Sequence, residues 1–314
     1  MAQVQTVLGP ISPEELGITA MHEHVVYGMP GWEYAPEVNF DHASAFEKIK
    51  KDLLDFKSAG GKTIVDCSGV ANGRDIEFYQ ALSRTTGVNI VASTGFGAEP
   101  GIPGHFASTS YSTKAVDYVV EVFLQELNQG MISGFMKKTN VRAGIICVGN
   151  RDNKITATEE KFFRAAARTA IRTSCAVMTQ GPQMARKQID LMTEEGLKPD
   201  RIVIGQCDRF PDIERDKDLA KKGAYIAYDS AAYDESPEPG KQLIESIKAM
   251  VDAGLQKRVI ISVDAIGHAL GFPQPERTYS YLLGEFLNSL RHAGIEEKTI
   301  NTFLVETPRN VLAF

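Results

Sequence analysis

No apolar run in this sequence approaches the roughly 18 to 20 residues that a membrane-crossing helix needs, so a membrane protein of that kind is not expected. Positive charge is not in excess either: 34 Lys and Arg stand against 40 Asp and Glu, and the net charge of −6 is spread along the chain. A nucleic-acid surface requires a basic patch or stripe, so that class of partner is excluded as an expectation. Cysteine is scarce. Cys67, Cys147, Cys175 and Cys207 lie scattered in apolar runs, too few for a disulfide framework, and read as reduced thiols of a cytoplasmic protein. The opening "MAQVQTVLGP" has neither the basic start nor the apolar stretch of a signal peptide. There is no internal repeat, and no Gly-rich phosphate-binding turn follows the first strand-like run. The second absence argues against a doubly wound open sheet and against a nucleotide cofactor.

What is present is an ordinary globular composition, 43% hydrophobic and 24% charged over 314 residues. Short β-branched runs alternate with longer amphipathic stretches from end to end. The strand candidates are "GITAMHEH", "KTIVDCSG", "VNIVASTG", "RAGIICVG", "CAVMTQG", "RIVIGQCD", "GAYIAYDS" and "RVIISVDA". Between them the spacing predicts helices near 41–60, 73–86, 111–131, 156–173, 184–196, 212–222, 240–255 and 277–293. Asp41 is a candidate cap, and Thr156 with Glu159 forms a capping-box pattern. Eight strands each followed by a helix in about 300 residues is the count of a (β/α)8 TIM barrel, read here as a single domain spanning 1–314. The Pro/Gly-rich segments "GMPGWEYAPEVNF", "GFGAEPGIPGHFASTS" and "YDESPEPG" follow strands, so they are expected to be βα loops around the barrel mouth.

Barrel enzymes place their chemistry where the strands end. His22 and His24 share one side of a strand by its period of two, and paired imidazoles suit a metal ion. The other strand ends carry Asp66 with Cys67, Cys147, Gln180, Gln206 and Asp264, and Tyr228 with Asp229 as candidates to line the pocket. Arg209 follows "QCD" in the loop after the sixth strand and is placed to bind a carboxylate or phosphoryl oxygen. His268, four residues beyond Asp264 in "DAIGHALGF", read as a loop, is a candidate for proton transfer. Trp32, in the loop after the first strand, is a candidate apolar wall. His42, His105 and His292 are given no role.

The segments "GPISPEELGITAMHEHVV", "TIVDCSG…GRDIEF", "RAGII", "IGQCD", "SVDA" and "ETPRNVLAF" together resemble the phosphotriesterase family of the amidohydrolase superfamily, in order and spacing along the whole chain. The resemblance implies a (β/α)8 barrel, a homodimer, and hydrolysis of phosphotriesters, lactones or other esters of small molecules at a binuclear metal centre. It maps the family's HxH pair onto His22 and His24 and its strand-eight aspartate onto Asp264. Its bridging carboxylated lysine falls on Cys147, and its two further histidines fall on Gln180 and Gln206.

An amide oxygen is a far weaker ligand for a transition metal than an imidazole nitrogen, and cysteine cannot carry a carbamate. The expectation is therefore one zinc-like ion or none. With an ion, His22, His24 and Asp264 plus water make an open site, which Cys147 as a fourth ligand would close. Without one, Asp264 is the general base and Gln180 and Gln206 donate to a substrate oxygen. Cys147 as a nucleophile is a further option. The leading expectation is a hydrolase of a small ester or lactone. The alternative is a lyase, an isomerase or a ligand-binding barrel.

Overall fold

The computed structural model describes residues 2–99, 101–107, 115–133, 137–233 and 240–314. A hairpin of β1 (Val4–Thr6) and β2 (Gly9–Ile11) leads into β3 (Thr19–Gly28), β4 (Thr63–Asp66) and β5 (Asn89–Thr94). A short antiparallel pair, β6 (Ile132–Ser133) and β7 (Lys137–Lys138), precedes β8 (Ile145–Gly149), β9 (Val177–Gln180) and β10 (Ile202–Ile204). The series ends with β11 (Tyr225–Tyr228), β12 (Val259–Ile261) and β13 (Ile266–Leu270).

The main sheet is parallel in the order β12-β11-β10-β9-β8-β5-β4-β3-β13. Its two edge strands are successive pieces of one run of chain, broken at residues 262–265. Asp264 N donates to His22 O (3.0 Å) and His24 N to Ala265 O (2.8 Å), which stitches the break to β3 and closes the sheet into a barrel. The expected fold class is the observed one. Side chains alternate as a barrel requires. Met21, Val65, Val91, Cys147, Met178, Val203 and Ala227 fill the interior, whereas Ile64, Ile90, Ile146, Val177, Ile204 and Ile226 pack outward against the helices.

The helices between strands follow the expected amphipathic stretches closely. Asp41 caps His42–Ser58 by accepting from Ala43 N and Ser44 N, and Thr156 and Glu159 form the capping box of Ala157–Thr173. Of the helix expected from residue 111, positions 111–114 lie outside the described residues, and Ala115–Asn128 is helical. Much of the "YDESPEPG" segment also lies outside them. Besides the β1–β2 hairpin and the β6–β7 pair, two further features were not expected. The eighth strand resumes as β13 where a loop was read, and the C-terminus forms a run of α- and π-helix from Glu297 to Leu312. Val311 and Leu312 of that run join Val4 and Leu16 in the interior cluster. Among the described residues no helix is long and apolar enough to cross a membrane.

Candidate active site and metal centre

The register of β3 against β4 shifts between Ala20 and Glu23. Met21 lies in the barrel interior, so strict alternation would turn His22 outward. The irregularity lets Met21 and His22 share the inner side, and His24 returns to it. Bulges re-aim side chains in this way beside active sites. Glu23, between the histidines, reaches the broken eighth strand instead. Its Oε1 accepts from Ser262 Oγ (2.7 Å) and Val263 N (3.1 Å), and its Oε2 accepts from Ala265 N (2.7 Å). These contacts grip the chain on both sides of Asp264. Burial pushes the Glu23 carboxyl up to about 8.

His22, His24 and Asp264 converge with their ligand atoms all within 4.8 Å of one another, and all three are buried. Asp264 Oδ1 lies 3.0 Å from His24 Nε2 and 3.7 Å from His22 Nε2. Yet this buried oxygen accepts no aligned hydrogen bond from the protein. The far nitrogen of each imidazole is anchored. His22 Nδ1 lies 2.7 Å from Asp229 Oδ2, and His24 Nδ1 lies 3.0 Å from Ser68 Oγ. Ser68 has one hydroxyl hydrogen, which Val26 O (3.0 Å) or Asp66 Oδ2 (3.2 Å) takes, so it accepts from His24. Both rings therefore present Nε2 toward the Asp264 carboxylate. Anchoring of the second nitrogen is what orients metal-binding histidines. Two nitrogens and an orphaned carboxylate oxygen fit one divalent ion with an open position.

The buried carboxylates favour positive charge at this group, whether a proton or an ion that displaces it. Burial by itself lowers His22, but the carboxylates of Asp264 and Asp229 overcome it and bring the ring up to about 10. Burial by itself raises Asp264, and His22 and His24 hold it below the usual carboxylate range. Asp264 and Gln206 both sit at φ 60, in the left-handed region that non-glycine residues seldom adopt. Such strain persists where surrounding contacts over-determine the backbone, commonly at functional sites.

Gln180, at the end of β9, places its amide nitrogen 3.3 Å from His22 Nε2. Gln206, just past β10, donates to Asp264 Oδ2 (3.2 Å), while its own backbone N donates to Asp229 Oδ1 (2.6 Å). Both amides thus touch the three-residue group. Cys147 does not join it. It lies among the sulfur atoms of the barrel interior and lines, with Cys67, Gln180 and Tyr27, a cavity of about 20 Å³. Tyr27 packs against His24 with ring centroids 4.6 Å apart and the planes tilted by 50°. It also lines a separate open groove of about 430 Å³ with Trp32, Met29, Leu270 and Phe272. Arg209 is exposed in the turn after Gln206.

Two expectations are corrected. Tyr228 does not line the pocket. Along β11, Tyr225 and Ala227 point inward and Ile226 and Tyr228 outward, and the Tyr228 hydroxyl donates to Asp216 Oδ2 (3.0 Å) on the helix Ile213–Lys221. The inward residue at that strand end is Asp229. His268 is on β13 beside Val26 rather than in a loop. Its ring lies 5.2 Å from that of Phe40, in an aromatic cluster with His42 and Phe78, and not in the group of Asp264. Burial and nearby Lys48 hold its imidazole below the usual value. Ser68 and Glu23 were missed. Ser68 is legible as a hydroxyl just beyond strand-end Asp66, and Glu23 as a carboxylate between two histidines on a buried strand.

The family model of the Phosphotriesterase family matches residues 2–312. The Phosphotriesterase homology protein of Escherichia coli (strain K12) is 28% identical, with 95% of this chain and 98% of the relative aligned. The Phospho-furanose lactonase of Mycoplasmopsis synoviae (strain 53) is 31% identical over 99% of this chain and 91% of its own length. A solved PTE-like lactonase mutant from Deinococcus radiodurans superposes with a TM-score of 0.90 at 28% identity, covering 98% of this chain and 99% of that one.

Proposed function

The chain belongs to the phosphotriesterase family, and from that premise we propose that it is a hydrolase opening a small lactone or a related ester. One observation carries the reading: Asp264 Oδ1 is buried without an aligned donor between two imidazoles whose other nitrogens are anchored. His22, His24 and Asp264 would hold a single zinc-like ion, which when bound polarises a carbonyl oxygen and makes a water acidic near neutral pH. The names of the relatives support a lactone or ester in that place.

The chain's own residues supply the rest. Asp229 and Ser68 keep both imidazoles presenting Nε2. Gln206 donates to Asp264 Oδ2 and fixes the carboxylate, which takes a proton from the attacking water. The same carboxyl group then returns the proton to the departing alkoxide. The Gln180 amide orients a substrate oxygen. Tyr27, shared by the small cavity and the groove beside Trp32, positions the ester head over His24 with its apolar remainder in the groove.

The test is a panel of lactones and carboxylic esters assayed by acid release with zinc-loaded enzyme. Turnover is expected for at least one of them, and Asp264→Asn should lower kcat by at least about 10²-fold, the lower bound for loss of a general base. The fold should survive, since Asn retains the side chain's shape. A folded Asp264→Asn protein within a few-fold of wild type, or no turnover of any lactone or ester, would overturn the proposal.

A further inference from the structure

Three sulfur atoms meet in the barrel interior beside the candidate active site. Cys67 lies just past β4, Cys147 on β8 and Met178 on β9, and all belong to the interior cluster. Cys67 Sγ is 3.8 Å from Met178 Sδ, and Cys147 lines the same small cavity as Cys67. Both thiols are free and both line the cavity of about 20 Å³, whose other walls include Tyr27, Asn72 and Gln180. Interiors are otherwise close-packed, so a void beside two thiols is a specific feature with room for one small guest.

We infer that Cys67, Cys147 and Met178 form a second metal site, for a soft thiophilic ion, distinct in donor chemistry from the histidine–aspartate group. Thiolate and thioether donors select soft ions, whereas a carboxylate beside two imidazoles is a harder donor set. The inference does not rest on the proposed hydrolysis.

Topology separates this reading from a disulfide. β5 lies between β4 and β8, so the two cysteine backbones are two strand spacings apart, about 9 to 10 Å in a flat sheet. A disulfide bridges Cα atoms no more than about 7 Å apart. An ion with bonds of about 2.3 Å to sulfur spans thiols separated by up to about 4.6 Å without moving either strand. Cys175 and Cys207 sit in the outer core and cannot substitute. Binding balances without redox chemistry: each thiol releases its proton to solvent and gives its electron pair to the ion, and Met178 adds a neutral lone pair.

The experiment titrates reduced, chelator-stripped full-length protein with Cd²⁺. Thiolate-to-cadmium charge-transfer absorption and proton release are recorded together. The expected result is absorption that saturates at one equivalent, with protons released in step. Cys147→Ser and Cys67→Ser should abolish it, Met178→Leu should weaken binding by about tenfold, and the double variant His22→Asn/His24→Asn should retain it. Circular dichroism identifies any variant that fails to fold, and Met178→Leu, close in volume, keeps the test decisive if a serine variant does. No charge-transfer band in wild type, a band surviving in both serine variants, or Cd²⁺ binding as tightly to Met178→Leu as to wild type would overturn the inference. Loss of the band in the histidine variant would equally overturn it, by making the thiols part of the first site.

Discussion

Asp229→Asn removes one charge and keeps the side chain's shape, and two contacts decide its effect. Asp229 Oδ1 accepts from Gln206 N at 2.6 Å, and Oδ2 lies 2.7 Å from His22 Nδ1, with the carboxylate fully buried. A backbone N–H can only donate, so the asparagine must turn its oxygen toward Gln206. Its NH₂ group then faces His22 Nδ1. Two donors cannot face each other at that distance, so Nδ1 must become the acceptor and the ring proton must move to Nε2. An Nε2 that carries a proton has no lone pair for an ion. Loss of an anchoring partner costs about 10- to 100-fold in metal affinity, or about 1.4 to 2.8 kcal/mol. The loss here should reach the upper half of that range, because the tautomer is reversed rather than merely released. The assay is competition for zinc against a chromophoric chelator near neutral pH. A folded Asp229→Asn protein with a zinc Kd within about threefold of wild type would refute the reasoning.

Tyr228→Phe removes a buried hydroxyl whose contact is with Asp216 on the helix side of the sheet. It should cost about 1 to 2 kcal/mol in denaturant unfolding and leave kcat within about twofold; a large loss of kcat at unchanged stability would return Tyr228 to the pocket. The chelated protein should become less heat-stable as pH rises. His22 goes from 6.5 to about 10 on folding and Glu23 from 4.5 to about 8, both upward, so their contributions are full below the unfolded values and lost through the folded ones. Thermal midpoints should therefore fall between about pH 4.5 and pH 10. A midpoint that rises over this range would contradict the assignment.

The barrel was legible because its signals are local and redundant. Each strand is a short β-branched run, and caps such as Asp41 and Thr156 mark where helices begin. The histidine pair was legible as well, although for a reason that needs amendment: period two explains why His22 and His24 share a side, while the irregularity before Glu23 decides which side. Register against a neighbouring strand is not written in the strand itself. Tyr228 was misplaced because ending a strand says nothing of facing the mouth, and the alternation of "YIAY" sends it outward. His268 was misread because the eighth strand breaks at Asp264 and resumes, a break held by the distant Glu23. Contacts such as Ser68 to His24, 44 residues apart, appear only once the sheet has closed.

Zinc-edge anomalous diffraction from crystals of protein purified with zinc and without chelator tests the central claim most directly. The account expects a single strong peak bounded by His22 Nε2, His24 Nε2 and the Asp264 carboxylate, and loss of hydrolysis when a chelator removes it. A pair of peaks about 3.5 to 4 Å apart at that group would contradict it, as would full activity in protein with no peak there.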